Sequence, residues 1–138
     1  MRGTTKNMTL DHLGIAVRSL DTALTFYRDA LGLAAEGPEE VPAEGVRIAF
    51  LPVGESRIEL LEPMSADTTV ARFLDRHGEG IHHVCLRVAD IDKAVADLKQ
   101  RGAQIVPPDV RRGAGGRRVA FIHPRSTGGV LLELVEAP

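Results

Sequence analysis

Residues 9–17 alternate with the period of a strand: His12, Gly14 and Ala16 share one face, Leu13, Ile15 and Val17 the other. The second face is apolar and expects a helix against it. Ser19 is a suitable N-cap, and Leu20, Ala23, Leu24 and Tyr27 follow at helical spacing until Gly32. A second strand is expected over Leu33 to Glu36, broken by Gly37-Pro38, with residues 37–44 as a Pro- and Glu-rich connection. Val46 to Val53 reads as a third strand, Gly54-Glu55-Ser56 as a tight turn, and Arg57 to Leu61 as a fourth strand stopped by Pro63.

The pattern then restarts. Residues 64–79 form a link with a short helix over Thr68 to His77, apolar at Val70, Phe73 and Leu74. Ile81 to Val88 is a strand, Asp90 caps a helix carrying Ile91, Ala94, Val95 and Leu98, and Gly102 ends it. Ala103 to Val106 is the next expected strand, halted by Pro107-Pro108. Arg111 to Arg118, with three glycines, is expected to be a mobile loop or hairpin tip, and strands over Arg118 to Ile122 and Val130 to Val135 close the chain. An offset of 71 residues lays His12 on His83, Val17 on Val88, Asp21 on Asp92 and Phe50 on Phe121. With a longer loop between Arg125 and Gly129 the offset becomes 74, and Ile58-Glu59-Leu60 meets Leu132-Glu133-Leu134.

Each half therefore reads β-α-β-β-β. One helix cannot cover both faces of a four-stranded sheet, so the second face needs the other half. The expected fold is α+β: two tandem βαβββ modules forming a curled mixed β-sheet around a metal-centred cleft, with the helices outside. The boundaries expected are a flexible tail at 1–8, one domain over 9–138, module one at 9–63, a linker at 64–79 and module two at 80–138.

Composition narrows the classes. A chain of 138 residues, 43% apolar and 26% charged, suits one soluble domain with a real core. A net charge of −2, no Trp and one Tyr give no drive toward nucleic acid. The single Cys85 excludes an intrachain disulfide framework and fits a reducing cytoplasm. The polar first residues lack the apolar core of a signal peptide, Met8 offers a second start, and no apolar run reaches membrane-spanning length.

The chemistry lies in four repeat-related positions. His12 and Glu59 in the first half, His83 and Glu133 in the second, have the parity to face one cleft. A lone strand histidine is usually a hydrogen-bonded structural residue, and a lone glutamate can face water. The four together at matched places suit a divalent ion of intermediate hardness, and the lack of thiolates argues against a structural zinc site. His82 has the opposite parity and is expected to lie behind the ligands or on the surface; His77 reads as a solvated helix end, and Cys85 as small packing.

At these residues the chain resembles a known group. Asp11-His12-Leu13-Gly14-Ile15-Ala16-Val17, Glu59-Leu60-Leu61-Glu62-Pro63, Gly78-Glu79-Gly80-Ile81-His82-His83-Val84, Phe121-Ile122-His123-Pro124 and Gly129-Val130-Leu131-Leu132-Glu133-Leu134 are similar to the vicinal oxygen chelate superfamily. Within that superfamily of glyoxalase I, extradiol dioxygenases and bleomycin-resistance proteins, they resemble the methylmalonyl-CoA epimerase family. The resemblance implies metal ligands at His12, Glu59, His83 and Glu133, cobalt first among Ni, Zn, Mn, Mg or Fe. It implies an acyl-CoA substrate whose C2 proton is lost to a metal-stabilised enolate, with Glu133 as a base. Where certain relatives carry a second glutamate base this chain has Ile48, so Glu59, or Glu44 on the 37–44 connection, is expected to serve the other face. Arg111, Arg112, Arg117 and Arg118 are candidates for the CoA phosphates, and His123 for a substrate contact or for fixing its own loop. A homodimer in the cytoplasm, with no nucleic-acid or membrane partner, completes the expectation. The rival readings are a glyoxalase I-type lyase on a glutathione hemithioacetal and a non-catalytic ligand-binding resistance protein.

Overall fold

A computed structural model describes residues 8–138, and contacts divide it into two compact units. One unit is His12–His82; the other joins the described residues up to Asp11 with His83–Pro138. Each unit carries one four-stranded mixed sheet, in the order β2-β3-β4-β1 in the first and β5-β8-β7-β6 in the second.

In the first unit β1 (Thr9–Ala16) runs parallel to β4 (Ser56–Pro63), with Gly14 opposite Glu59 and Ile15 opposite Leu60. β3 (Val46–Val53) is antiparallel to β4, and β2 (Glu36–Val41) is antiparallel to β3 as the outermost strand. Ser19 accepts a hydrogen bond from Thr22 N and starts α1 (Leu20–Leu24), which widens into a π-helical segment over Thr25–Ala30. Gly32, at φ 91°, ends it in a conformation that a side chain would disfavour. Val17, Leu20, Ala49, Leu51 and Leu60 form the buried core beneath this helix, flanked by Ile15, Leu24 and Tyr27. α2 (Thr69–His77), capped by Thr68, completes the unit and buries Val70, Ala71 and Leu74.

The second unit repeats the plan. β5 (Gly80–Val88) is parallel to β8 (Leu132–Glu136), β7 (Arg118–Ile122) is antiparallel to β8, and β6 (Arg111–Arg112) pairs antiparallel with β7. Asp90 accepts from Lys93 N to cap α3 (Ile91–Gln100), whose Ile91, Ala94 and Val95 bury against Val88, Ala120, Ile122 and Leu134. Period-2 alternation therefore sends one set of side chains under each helix and leaves the other set on the opposite sheet face.

Two expected elements are displaced. The second strand lies at Glu36–Val41 rather than Leu33 to Glu36, because Leu33 and Ala35 pack on the helix core as a connection and pairing to β3 runs on through a bulge between Glu36 and Glu39. An outermost strand tolerates Pro38, which lacks a donor. Ala103 to Val106 makes one bridge, Ile105 to Ile122, and no strand, since Pro107-Pro108 has no N–H with which to extend a ladder. The Arg111 to Arg118 stretch is a hairpin, turned by Ala114–Gly116 with Gly115 at φ 66° and Gly116 at φ 73°. The expected tail lies up to residue 7 outside the described residues, while Met8 packs against the second core. Among the described residues no helix is long and apolar enough to cross a membrane.

Leu60 has no exposed surface and lies at the centre of the first core. Leu60→Ala is expected to lower unfolding free energy by about 2–5 kcal/mol in urea titrations, while Asp90→Ala, which removes a helix cap, costs about 1 kcal/mol.

Candidate metal centre

Opposite the helix, each sheet bears a buried imidazole and a buried carboxylate. In the first unit His12, from β1, and Glu59, from β4, stand with Nδ1 and Oε2 3.2 Å apart, and both residues are at most 5% exposed. Parallel pairing puts Gly14 across from Glu59, so no side chain intervenes there. In the second unit His83 Nε2, from β5, lies 3.0 Å from Glu133 Oε1, from β8, and both residues are 7% exposed. The repeat seen in the sequence is thus a repeat of His–Glu pairs in space.

These pairs fit a divalent ion. Two donors bound side by side on an octahedral ion, each about 2.1 Å from it, stand about 3 Å apart, close to the spacings in both pairs. Imidazole nitrogen with carboxylate oxygen suits ions of intermediate hardness. Cys85 lies across from Glu133, fully buried, and packs with Val119 and Val135.

A phenylalanine and an arginine accompany each glutamate. Phe50 is directly across from Glu59 and Phe121 directly across from Glu133. The Arg57 guanidinium stacks 5.2 Å from the Phe50 ring centre, and its Nε and Nη2 each lie 2.8 Å from Glu59 Oε2. In the second unit the Arg111 guanidinium stacks 5.3 Å from the Phe121 ring centre, and the same ring meets His83 edge-on at 6.4 Å. Arg57 was missed by sequence reasoning, although its two-residue spacing from Glu59 on a strand signals a shared face. Phe50 and Phe121 were visible as repeat partners, without a role.

The remaining candidates separate. Arg117 Nη1 and Arg87 Nε reach Asp11 Oδ1 at 3.4 and 2.9 Å, and Arg117 Nη2 donates to the Glu136 carbonyl at 3.4 Å. Asp11 is 1% exposed, so Arg87 and Arg117 hold a fully buried carboxylate. Arg118 pairs with Asp92 at 2.7 Å and with Glu136 at 3.5 Å. The Arg118 hydrogen bond holds the exposed Asp92 carboxyl below its usual range, and that bond raises Arg118 in return. Arg112 donates to the Gly116 carbonyl across its own hairpin. His123 caps the Pro124–Ser126 turn, its Nδ1 accepting from Arg125 N at 3.0 Å. His82 packs edge-on against Phe73 of α2. Ile48 is buried on the Phe50 face, and Glu44 sits in the turn between β2 and β3.

A profile of the Glyoxalase/Bleomycin resistance protein/Dioxygenase superfamily matches residues 11–121, and the chain belongs to this superfamily. Its relatives are more specific. Mitochondrial methylmalonyl-CoA epimerase of Bos taurus is 40% identical over 129 residues, 93% of this chain and 74% of the bovine protein. The crystal structure of methylmalonyl-CoA epimerase from Mycobacterium tuberculosis has a TM-score of 0.88 and 42% identity, covering 94% of this chain and 88% of that one. A methylmalonyl-CoA epimerase in complex with methylmalonyl-CoA and NH4+ has a TM-score of 0.88 and 38% identity, over 93% of each chain.

Replacing Asp11 by Asn leaves two guanidinium groups facing a neutral side chain. Asp11→Asn is expected to destabilise by about 2–4 kcal/mol in urea titrations, below the full cost for a buried pair because both arginines are partly exposed. Asp92→Asn is the surface control. Its carboxyl is depressed in the folded state, so any contribution is present above the ordinary Asp range and lost as pH falls through the folded value. At neutral pH, with the carboxyl exposed to solvent, it is expected to leave stability nearly unchanged in the same titrations.

Proposed function

We propose that this chain is a metal-dependent epimerase interconverting (R)- and (S)-methylmalonyl-CoA by proton transfer at C2. The observation that carries the reading is the pair of repeat-related, buried His–Glu sets, taken with epimerase relatives near 40% identity. His12, Glu59, His83 and Glu133 would together hold one divalent ion, cobalt first among Ni, Zn, Mn, Mg and Fe. When bound, the ion supplies Lewis-acid stabilisation for the negative charge that develops on the thioester oxygen.

The chain's own residues move the proton. The Glu133 carboxylate takes the C2 proton from one face, the electron pair of the C–H bond passes into the enolate, and the carboxylic acid of Glu59 returns a proton to the opposite face. The reverse turnover exchanges the two roles. Ile48 has no proton to give. Glu44 is the weaker second acid: its turn lies at the Val46 end of β3, four strand positions from Phe50 and its partner Glu59, roughly 13 Å along the sheet. Arg57, bonded to Glu59, offsets the negative charge that Glu59 carries once it has given up its proton. Arg117, Arg118 and His123 serve the scaffold, through Asp11, Asp92 and the 124–126 turn, rather than the substrate. A cytoplasmic homodimer fits the single buried Cys85 and the outermost place of β2 in the strand order of its own module.

The test is proton-to-deuterium exchange at C2 of methylmalonyl-CoA, followed by NMR with metal-free protein before and after cobalt addition. Cobalt-dependent exchange with loss of chirality is expected; no exchange with cobalt bound contradicts the reading and favours the hemithioacetal lyase. Glu133→Gln is expected to slow exchange by about a hundredfold or more. Normal exchange from both enantiomers in Glu59→Gln would overturn the two-glutamate scheme.

A further inference from the structure

Resting on the epimerase reading, we propose that Arg111 is the specificity residue that reads the free carboxylate of the substrate's malonyl unit. Arg111 lies opposite Val119 across the β6–β7 hairpin, and its guanidinium covers the Phe121 ring. Phe121 in turn is directly across from Glu133 and meets the His83 ring edge-on. One aromatic ring therefore joins the guanidinium to the His83–Glu133 pair.

The charge of Arg111 is also uncommitted. Arg57, Arg87, Arg117 and Arg118 each bond a carboxylate of the protein. Arg111 donates from Nη2 to the neutral Pro107 carbonyl, and its Nε, like that of the carboxylate-bound Arg117, is buried with no hydrogen-bond partner among the described residues. A buried donor without an acceptor is unfavourable until a ligand supplies one. Stacking on Phe121 fixes the plane of the fork, and a planar fork matches a carboxylate with two parallel bonds.

The position selects the anion. In methylmalonyl-CoA the free carboxylate is attached to the carbon that loses the proton, whereas the phosphates lie at the far end of the pantetheine arm. An arginine one ring away from the proposed base, Glu133, is placed for the carboxylate. It also anchors the group that must stay fixed while C2 inverts, which leaves the methyl and the proton to exchange places.

The experiment compares malonyl-CoA, propionyl-CoA and CoA binding by calorimetry to the cobalt-loaded full chain, for the unaltered protein, Arg111→Gln and Arg111→Lys. Propionyl-CoA shares every phosphate with malonyl-CoA and lacks only the carboxylate. The unaltered protein is expected to prefer malonyl-CoA, and Arg111→Gln to lose about ten- to a hundredfold of that preference with propionyl-CoA and CoA affinities unchanged. Arg111→Lys retains the charge without the fork and is expected to fall between the two. Equal loss for all three ligands would assign Arg111 to the phosphates and overturn the proposal, as would unchanged preference in a folded Arg111→Gln. Failure of the epimerase reading is seen separately, as absence of C2 exchange in the unaltered protein.

Discussion

The structure depends on a constraint that a hydrophobic sheet face ordinarily forbids: carboxylates and imidazoles buried together, away from water. His12, Glu59, His83 and Glu133 are each at most 7% exposed. An isolated buried carboxylate is costly enough that a protein retains it only where a partner or an ion compensates. Each module supplies the first compensation itself, by setting an imidazole nitrogen about 3 Å from the carboxylate. The pleat does the rest. Leu60 and Leu134, next to the glutamates, point under the helices, so one strand serves the core and the site with alternate residues.

Duplication explains how such a site arises from simple parts, and the two copies have also diverged. Both keep the phenylalanine across from the glutamate, and both place a guanidinium over that ring. In the first copy the arginine comes from the glutamate's own strand and grips its carboxylate; in the second it comes from the neighbouring hairpin and bonds a backbone carbonyl. The two copies therefore share the ring and the guanidinium over it, and differ in what that guanidinium bonds.

Most of this architecture was legible in the chain, for a physical reason. Period-2 and period-3.6 patterns are imposed by burial, so the strands at Val46–Val53 and Arg118–Ile122 and the capped helix after Asp90 lay where the pattern put them. The His and Glu positions stood out because repeat symmetry doubled a weak signal, and the structure buries all four in His–Glu pairs. What failed was short, proline-bearing and at the edges: β2 and the Ala103 to Val106 stretch, where pairing rather than side-chain pattern sets the boundary. The roles of Arg57, Arg87 and Asp11 were hidden because they depend on contacts that no repeat announces. Asp11 has His82 as its repeat partner, and its arginines are distant in sequence.

The central claim is that two pairs hold one ion. Cobalt stoichiometry, measured by calorimetry and elemental analysis on the purified chain, addresses it directly when repeated on His12→Ala and His83→Ala. The account predicts one cobalt per chain, and a large loss of affinity from either substitution although each removes a ligand from only one module. Two ions per chain, or a site that survives intact when one module's histidine is removed, would contradict it.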